Sequence, residues 1–201
     1  MSVGNDVVDL ADPETRLDGL HPRWGGRAFS ATEREALEAS PSRHRLHWAL
    51  WAAKESAYKA RKRLDRGAVF SPREFGVELS SLPAAESGVA RGRVFHRCDV
   101  FELEVRLDGE CLHAVARSAD ETGARVLWKV EGARGDPGLA ARRLAATAIG
   151  SALGLDPDEL RIVGRPPVAI DRGRRLEADV SLSHHGRFVA FACTLADPIL
   201  P

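Results

Sequence analysis

Cysteine is scarce. The chain of 201 residues has three, Cys98, Cys111 and Cys193, and they are scattered. An odd count without close pairs argues against a disulfide framework or a zinc site. All three fall in apolar, strand-like stretches and read as small core residues. Surplus charge is missing too. Lys and Arg total 29, Asp and Glu total 29, and the formal net charge is zero. No bulk attraction to nucleic acid follows, so any anion site must come from local clustering. No apolar run approaches the ~18 residues that span a bilayer. Met1–Leu10 carries Asp6 and Asp9 with no basic region, unlike a signal peptide. The expectation is a cytoplasmic protein with no nucleic-acid and no membrane partner.

What is present fits a folded chain. Apolar residues make up 44% and charged residues 29%, which is globular rather than disordered texture. The length suits one medium domain or two small modules sharing a core. Ser2–Leu10 reads as a strand interrupted by Gly4-Asn5-Asp6, and residues 12–26 as loop. Ser30-Ala31-Thr32-Glu33 is a capping box that starts a short helix to about Ser40. Pro41 or Ser42 opens a long helix to about Leu64. Phe75–Leu79, Gly92–Phe95, Val100–Leu107 and Cys111–Ala116 follow as strands, with a hairpin signal at Asp108-Gly109. Ser118–Gly123 is polar and unpatterned, and marks a module boundary.

The second part restarts with a strand at Arg125–Val130, a glycine-rich loop over Gly132–Gly138 and an alanine-rich helix at Leu139–Leu153. Strands at Leu160–Val163, Val168–Ile170, Asp179–Leu182 and Phe188–Leu195 complete it, with a turn at Gly164-Arg165-Pro166-Pro167. The reading is an α+β fold of two similar α/β modules, 1–120 and 121–201. Each is a long helix on a small, mostly antiparallel sheet, without a residue-level repeat to prove it.

At about 100° per residue, Leu46, Leu50, Ala53, Ala57, Ala60 and Leu64 form one stripe of the long helix, a core face. Glu55 points the other way, among Trp48, Trp51, Ala52, Tyr58, Lys59 and Lys62. Taken alone, Glu55 and Lys59 are an ordinary helix pair worth a few tenths of a kcal/mol. Two tryptophans and a tyrosine change that, because such apolar area is costly to leave in water. A half-covered carboxylate and amine need a partner, a metal or a ligand. On local sequence alone, Asp6 reads as a turn aspartate before it reads as a ligand, and Ser183-His184-His185-Gly186 as a turn with exposed imidazoles. The combination is the informative feature.

That combination resembles the 4'-phosphopantetheinyl transferase superfamily. The family's G-x-D strand stands here as Gly4-Asn5-Asp6. Its W-x-x-K-E-S/A-x-x-K helix stands as Trp51 through Lys59, and its S-x-S-H segment as Ser181-Leu182-Ser183-His184. Gly164-Arg165-Pro166 is similar to its G-K-P turn. Arg27, Phe29-Ser30 and Glu33 resemble the segment between the first two motifs. The motif order is that of the small holo-acyl-carrier-protein synthase type, which is trimeric. The length is closer to the larger type, in which one chain forms a pseudo-dimer. A monomeric pseudo-dimer with exchanged halves is favoured over a homotrimer whose subunit carries an insertion.

The resemblance implies transfer of the 4'-phosphopantetheine arm of coenzyme A to a serine of an apo acyl or peptidyl carrier protein, with release of 3',5'-ADP. Fatty-acid, polyketide and peptide-synthetase carriers are all open. It implies Mg2+ on Asp6 and Glu55, since Val8 stands where the larger type often has a second acid. Glu55 is the candidate base, directly or through a bound water. Lys59 is the candidate phosphate contact and proton donor. Arg165, Ser183 and His184 would hold the 3'-phosphate and adenine end, with Arg143 a weaker candidate. A guanidinium at Arg165 still meets a phosphate bidentately. Lys54 is either ligand-facing or structural. A catalytically degenerate module binding coenzyme A or a carrier protein is the alternative, and a magnesium phosphohydrolase is a further rival.

Overall fold

The computed structural model describes residues 2–83, 85–120 and 125–195. Strand β1 (Val3–Asp9) runs without a break through Gly4-Asn5-Asp6, where the sequence pattern predicted an interruption. Gly4 is the reason. A Cβ there would lie 1.9 Å from the Ser56 carbonyl oxygen, so only glycine lets the strand lie this close to the long helix. The segment expected as loop holds two 3-10 turns and a short helix, α1 (Trp24–Ala28). The predicted capping box starts α2 (Ala31–Ala39): Glu33 N donates to Ser30 Oγ at 3.2 Å, and Ser30 N donates to Glu33 Oε2 at 2.7 Å.

The long helix is α3 (Arg43–Leu64). Its buried surface is wider than one stripe. Leu50, Ala53, Ala57 and Ala60 are buried as expected, but Leu64 is exposed, and Trp48, Ala49, Ala52 and Ser56 are buried as well. Trp48 and Ala52 therefore belong to the core side and not to the Glu55 face. The Trp48 indole N–H finds the Thr15 carbonyl at 2.8 Å, which lets so large a ring go inside.

Four strands follow: β2 (Gly76–Leu79), β3 (Ser87–His96), β4 (Asp99–Asp108) and β5 (Cys111–Ser118). They form an antiparallel sheet in the order β1-β5-β4-β3-β2. The hairpin at Asp108-Gly109 is present, with Gly109 at φ +56°, as a tight primed turn requires. One face of the sheet packs on α3 through Val8, Leu10, Phe101, Leu103, Val105 and Leu112. The expected module boundary at 118–123 falls partly on residues 121–124, outside the described residues.

The second part comprises β6 (Arg125–Gly132), α4 (Pro137–Leu153), β7 (Leu160–Val163), β8 (Val168–Asp171), β9 (Arg174–Arg175), β10 (Ala178–His185) and β11 (Phe188–Leu195). Asp136 caps α4 through its carboxylate, which accepts Leu139 N at 2.7 Å, and Gly154 at φ +66° ends it. β9 is too short to show in a periodicity. The strands form two sheets, β10-β11-β6 and β7-β8-β9. Ala141, Leu144, Ala145 and Ile149 of α4 pack with Val180, Val189, Phe191 and Cys193 as a second core. The five-stranded sheet and the three-stranded sheet β10-β11-β6 share a plan: β1 lies beside β5 and then β4, and β6 lies beside β11 and then β10. Of the cysteines, Cys193 is buried and Cys111 half-buried, but Cys98 is exposed in the β3–β4 turn and is no core residue.

Candidate active site

Three charged side chains meet where β1 crosses α3. The Lys59 ammonium donates to Asp6 Oδ1 at 2.7 Å and to the Asn5 carbonyl at 2.9 Å, and lies 3.5 Å from Glu55 Oε2. Helical spacing puts Glu55 and Lys59 one turn apart on one face. Strand alternation brings Asp6 to them: Gly4, Asp6 and Val8 face α3, while Asn5 and Asp9 reach the second part of the chain. The side chains of Asp6, Glu55 and Lys59 keep 13, 29 and 27% of their exposure, so a ligand can reach them.

The charges perturb one another. Burial raises the Glu55 pKa, and the nearby Asp6 charge raises it further, while Lys59 and the Trp51 indole N–H pull it down. Burial works against the charge on Lys59, yet Asp6 and Glu55 outweigh it and hold its pKa above the ordinary lysine value. Lys59 is therefore a cation at neutral pH.

Two carboxylates share one ammonium here, and the upward push of Asp6 on Glu55 is the sign of their crowding. No group of three or more His, Cys, Asp or Glu able to hold a metal occurs among the described residues. A pair of hard carboxylates fits Mg2+, which accepts one or two protein carboxylates and completes its shell with waters and phosphate oxygens.

Lys54, next to Glu55 in sequence, lies elsewhere. It is fully buried, donating to Glu33 Oε2 at 2.8 Å, to the Phe75 carbonyl at 2.6 Å and to the Pro72 carbonyl at 3.1 Å. Its role is structural. It ties α3 to α2 and to the entry of β2, and its ammonium finds three acceptors where water is excluded.

β10 covers the open edge of β1. The two strands run in the same direction, and side chains of β10 satisfy backbone N–H groups of β1. Val3 N donates to Asp179 Oδ2 at 2.9 Å, Asn5 N to Ser181 Oγ at 3.0 Å and Asp9 N to His185 Nδ1 at 3.2 Å, each partner 176 positions along. The Asn5 amide nitrogen donates to Ser183 Oγ at 2.8 Å and lies 3.1 Å from His113 Nε2. At the far end Arg187 grips Asp9 in a bidentate pair at 2.7 and 2.6 Å, which holds the Asp9 carboxyl down at about 2.

The structure thus brings Asp6, Glu55 and Lys59 together. Ser183 is buried, with its hydroxyl committed to Asn5, the neighbour of Asp6. His184 is exposed and alternates to the opposite face of β10. Arg165 is exposed in the β7–β8 turn, and Arg143 is exposed on α4.

Sequence reasoning missed a basic cleft beside that turn. Lys62 and Arg63 of α3 and Arg66 in the turn after it line the cleft with Pro166 and Arg175, four cations against the two acids Glu177 and Asp179, in a volume of about 610 Å3. Burial lowers the Arg63 pKa; Asp179 opposes this, and the positive charges of Arg175 and Arg66 add to it. The run Arg61-Lys62-Arg63 and Arg66 was the available signal, since Glu55, Lys59 and Arg63 share a helical face and Arg66 follows in the turn after α3. The contribution of Arg175 carries no local signal, because it joins the cleft only through the fold.

A family model described as the 4'-phosphopantetheinyl transferase superfamily matches residues 2–115. Among solved structures, the holo-[acyl-carrier-protein] synthase of Thermotoga maritima is similar at 15% identity and a TM-score of 0.41, over 69% of this chain and 71% of that one. No curated protein matches the chain.

Proposed function

The chain belongs to the 4'-phosphopantetheinyl transferase superfamily, and from that membership we propose that it loads the 4'-phosphopantetheine arm of coenzyme A onto a serine of an apo carrier protein, with Mg2+. The observation that carries this reading is the meeting of Asp6, Glu55 and Lys59 between β1 and α3. Asp6 and Glu55 would hold the cation, which when bound supplies neutralisation of the pyrophosphate charge. The serine oxygen forms a bond to the β-phosphorus, and the bond to the bridging oxygen breaks to leave 3',5'-ADP. Glu55, whose raised pKa makes it a better proton acceptor than an exposed carboxylate, takes the serine proton. Lys59 donates hydrogen bonds to the phosphate and can protonate the leaving oxygen. Such transfer depends on positioning and charge more than on covalent chemistry.

The basic cleft, beside the turn that bears Arg165, would take the nucleotide end of coenzyme A; His184, at the other end of β10 from the cleft's Asp179, stands apart from it. Ser183 contributes by holding Asn5 and so the strand that carries Asp6. We read the two halves as a monomeric pseudo-dimer in the cytoplasm, on the shared order β1-β5-β4 and β6-β11-β10. The test is incubation of the purified protein with coenzyme A, Mg2+ and a panel of apo carriers of fatty-acid, polyketide and peptide-synthetase origin. Gain of one phosphopantetheine arm by mass spectrometry is the expected result. Release of inorganic phosphate with unmodified carriers would replace this reading with a phosphohydrolase.

A further inference from the structure

Arg63 is the third member of a series on α3 at spacing four: Glu55, Lys59, Arg63. The first two belong to the charged trio. The third reaches the other half of the chain. Its Nε lies 3.0 Å from Asp179 Oδ1, and its Nη2 donates to the Pro167 carbonyl at 2.9 Å and to the Val180 carbonyl at close range. Asp179 uses its other oxygen, Oδ2, to accept the Val3 N–H of β1 at 2.9 Å. The Arg63 side chain is 11% exposed and that of Asp179 13%. One guanidinium therefore connects α3, β10 and the turn Gly164-Arg165-Pro166-Pro167. Asp179 carries the connection to β1, three residues before Asp6.

A helix is a stiff rod with a rise of about 1.5 Å per residue, so Arg63 is carried at a fixed distance from Glu55 and Lys59. Whatever Arg63 grips is set at a fixed distance from the trio. What it grips is the turn that bears Arg165. A planar, multiply donating guanidinium suits this, because it bonds a carboxylate and two carbonyls in one geometry; a lysine ammonium on a flexible stem does not fix direction in the same way. Burial of most of the side chain means the grip is kept out of competition with water.

We infer that Arg63 is a positioning residue: with Asp179 it latches the Arg165-bearing turn and the basic cleft against the Asp6–Glu55–Lys59 trio, and so sets the span over which one coenzyme molecule is held at both ends. The span matters because a ligand gripped at two points gains affinity only when the points are correctly separated. Arg63 itself does not touch the reacting atoms. The kinetic consequence rests on the proposed transferase reading; the mechanical one does not.

The experiment uses the full chain with Arg63→Gln, Arg63→Lys and Asp179→Asn. Two quantities are read: amide hydrogen exchange of the peptide covering 163–170, which reports through the N–H groups on either side of Pro166 and Pro167, and KM for coenzyme A set against kcat. Faster exchange in that peptide is expected in Arg63→Gln, with exchange across β3–β5 unchanged. KM for coenzyme A should rise about tenfold with kcat within about twofold, the signature of lost ground-state binding. Arg63→Lys should fall between wild type and Arg63→Gln in both, and keeps the test open should the glutamine variant fold poorly. Unchanged exchange at 163–170 in a folded variant overturns the latch. Faster exchange with an unchanged KM overturns its role in binding. A wild-type protein that transfers no arm and binds no coenzyme A refutes the transferase reading, and the exchange data then still decide whether Arg63 holds the turn.

Discussion

Lys59 bridges a helix and a strand by donating to Asp6 at 2.7 Å while keeping Glu55, one turn back on its own helix, at 3.5 Å. A lone ammonium between two carboxylates is a site prepared for more positive charge. If Asp6 and Glu55 hold a cation, each is needed for the reaction and neither for the fold. Asp6→Ala and Glu55→Ala should abolish arm transfer to an apo carrier, read by mass spectrometry, while circular dichroism and Tm stay near wild type. Full transfer by either folded variant would remove the metal assignment.

Lys59 has a different expected signature. It binds phosphate and offers a proton rather than a metal ligand, so some activity should survive its loss. Lys59→Ala should lower kcat by several-fold to about a thousandfold, the range seen when one general acid or charge-stabilising donor is removed. The folded variant should still bind Mg2+, which isothermal titration can follow. Unchanged turnover would exclude Lys59 from the mechanism.

Lys54 tests the division of labour within one motif. It is fully buried and serves Glu33 and two carbonyls. Lys54→Ala leaves the buried Glu33 without its cation, a change that costs about 3–5 kcal/mol. The expected result is a large fall in Tm or in the urea midpoint. Material that remains folded at low temperature should keep its kcat, because Lys54 does not reach the site. A variant with normal Tm and lost turnover would reverse the assignment.

The fold and the trio were legible in the sequence to different depths, for physical reasons. Local patterns announced the capping box at Ser30, the length of α3 and the hairpin at Gly109, because each is set by residues within a few positions. The meeting of Asp6 with Glu55 had no local signal and came from the motif combination. The destination of Lys54 depended on Glu33 and Phe75, which lie on other elements. The covering of β1 by β10 joins residues 176 apart, and no periodicity reaches that far. Trp48 and Ala52 were misplaced because a helix wedged under a sheet buries more than one stripe.

The proposed monomeric state can be tested at that edge. An open strand edge is a template for pairing with another chain. Here N–H groups of β1 are taken by Asp179, Ser181 and His185 of the same chain. The expected species is a monomer in sedimentation analysis across a wide concentration range. A stable trimer would mean that the two halves do not complete one another.

Acid should destabilise the fold through two buried imidazoles. His47 is buried against Trp24 and Phe29, and burial, with the charges of His44 and Arg43, pushes its pKa down to about 4. His113 is buried beside Asn5, and burial, with Arg106 and Lys59, pushes it to about 3. Both are neutral in the folded protein and protonate near 6.5 when unfolded. Between the two values the unfolded state binds more protons, so stability rises with pH. Stability is therefore fully present above about pH 6.5 and is lost as pH falls, toward 4 for His47 and toward 3 for His113. A shift of this size is worth roughly 3 kcal/mol for His47 alone. Urea titrations should show the midpoint dropping steadily from pH 7 to pH 4. His47→Phe, which keeps the ring contacts and cannot protonate, should flatten that slope. An equally steep slope in the variant would show that His47 is not among the groups that make the fold acid-sensitive.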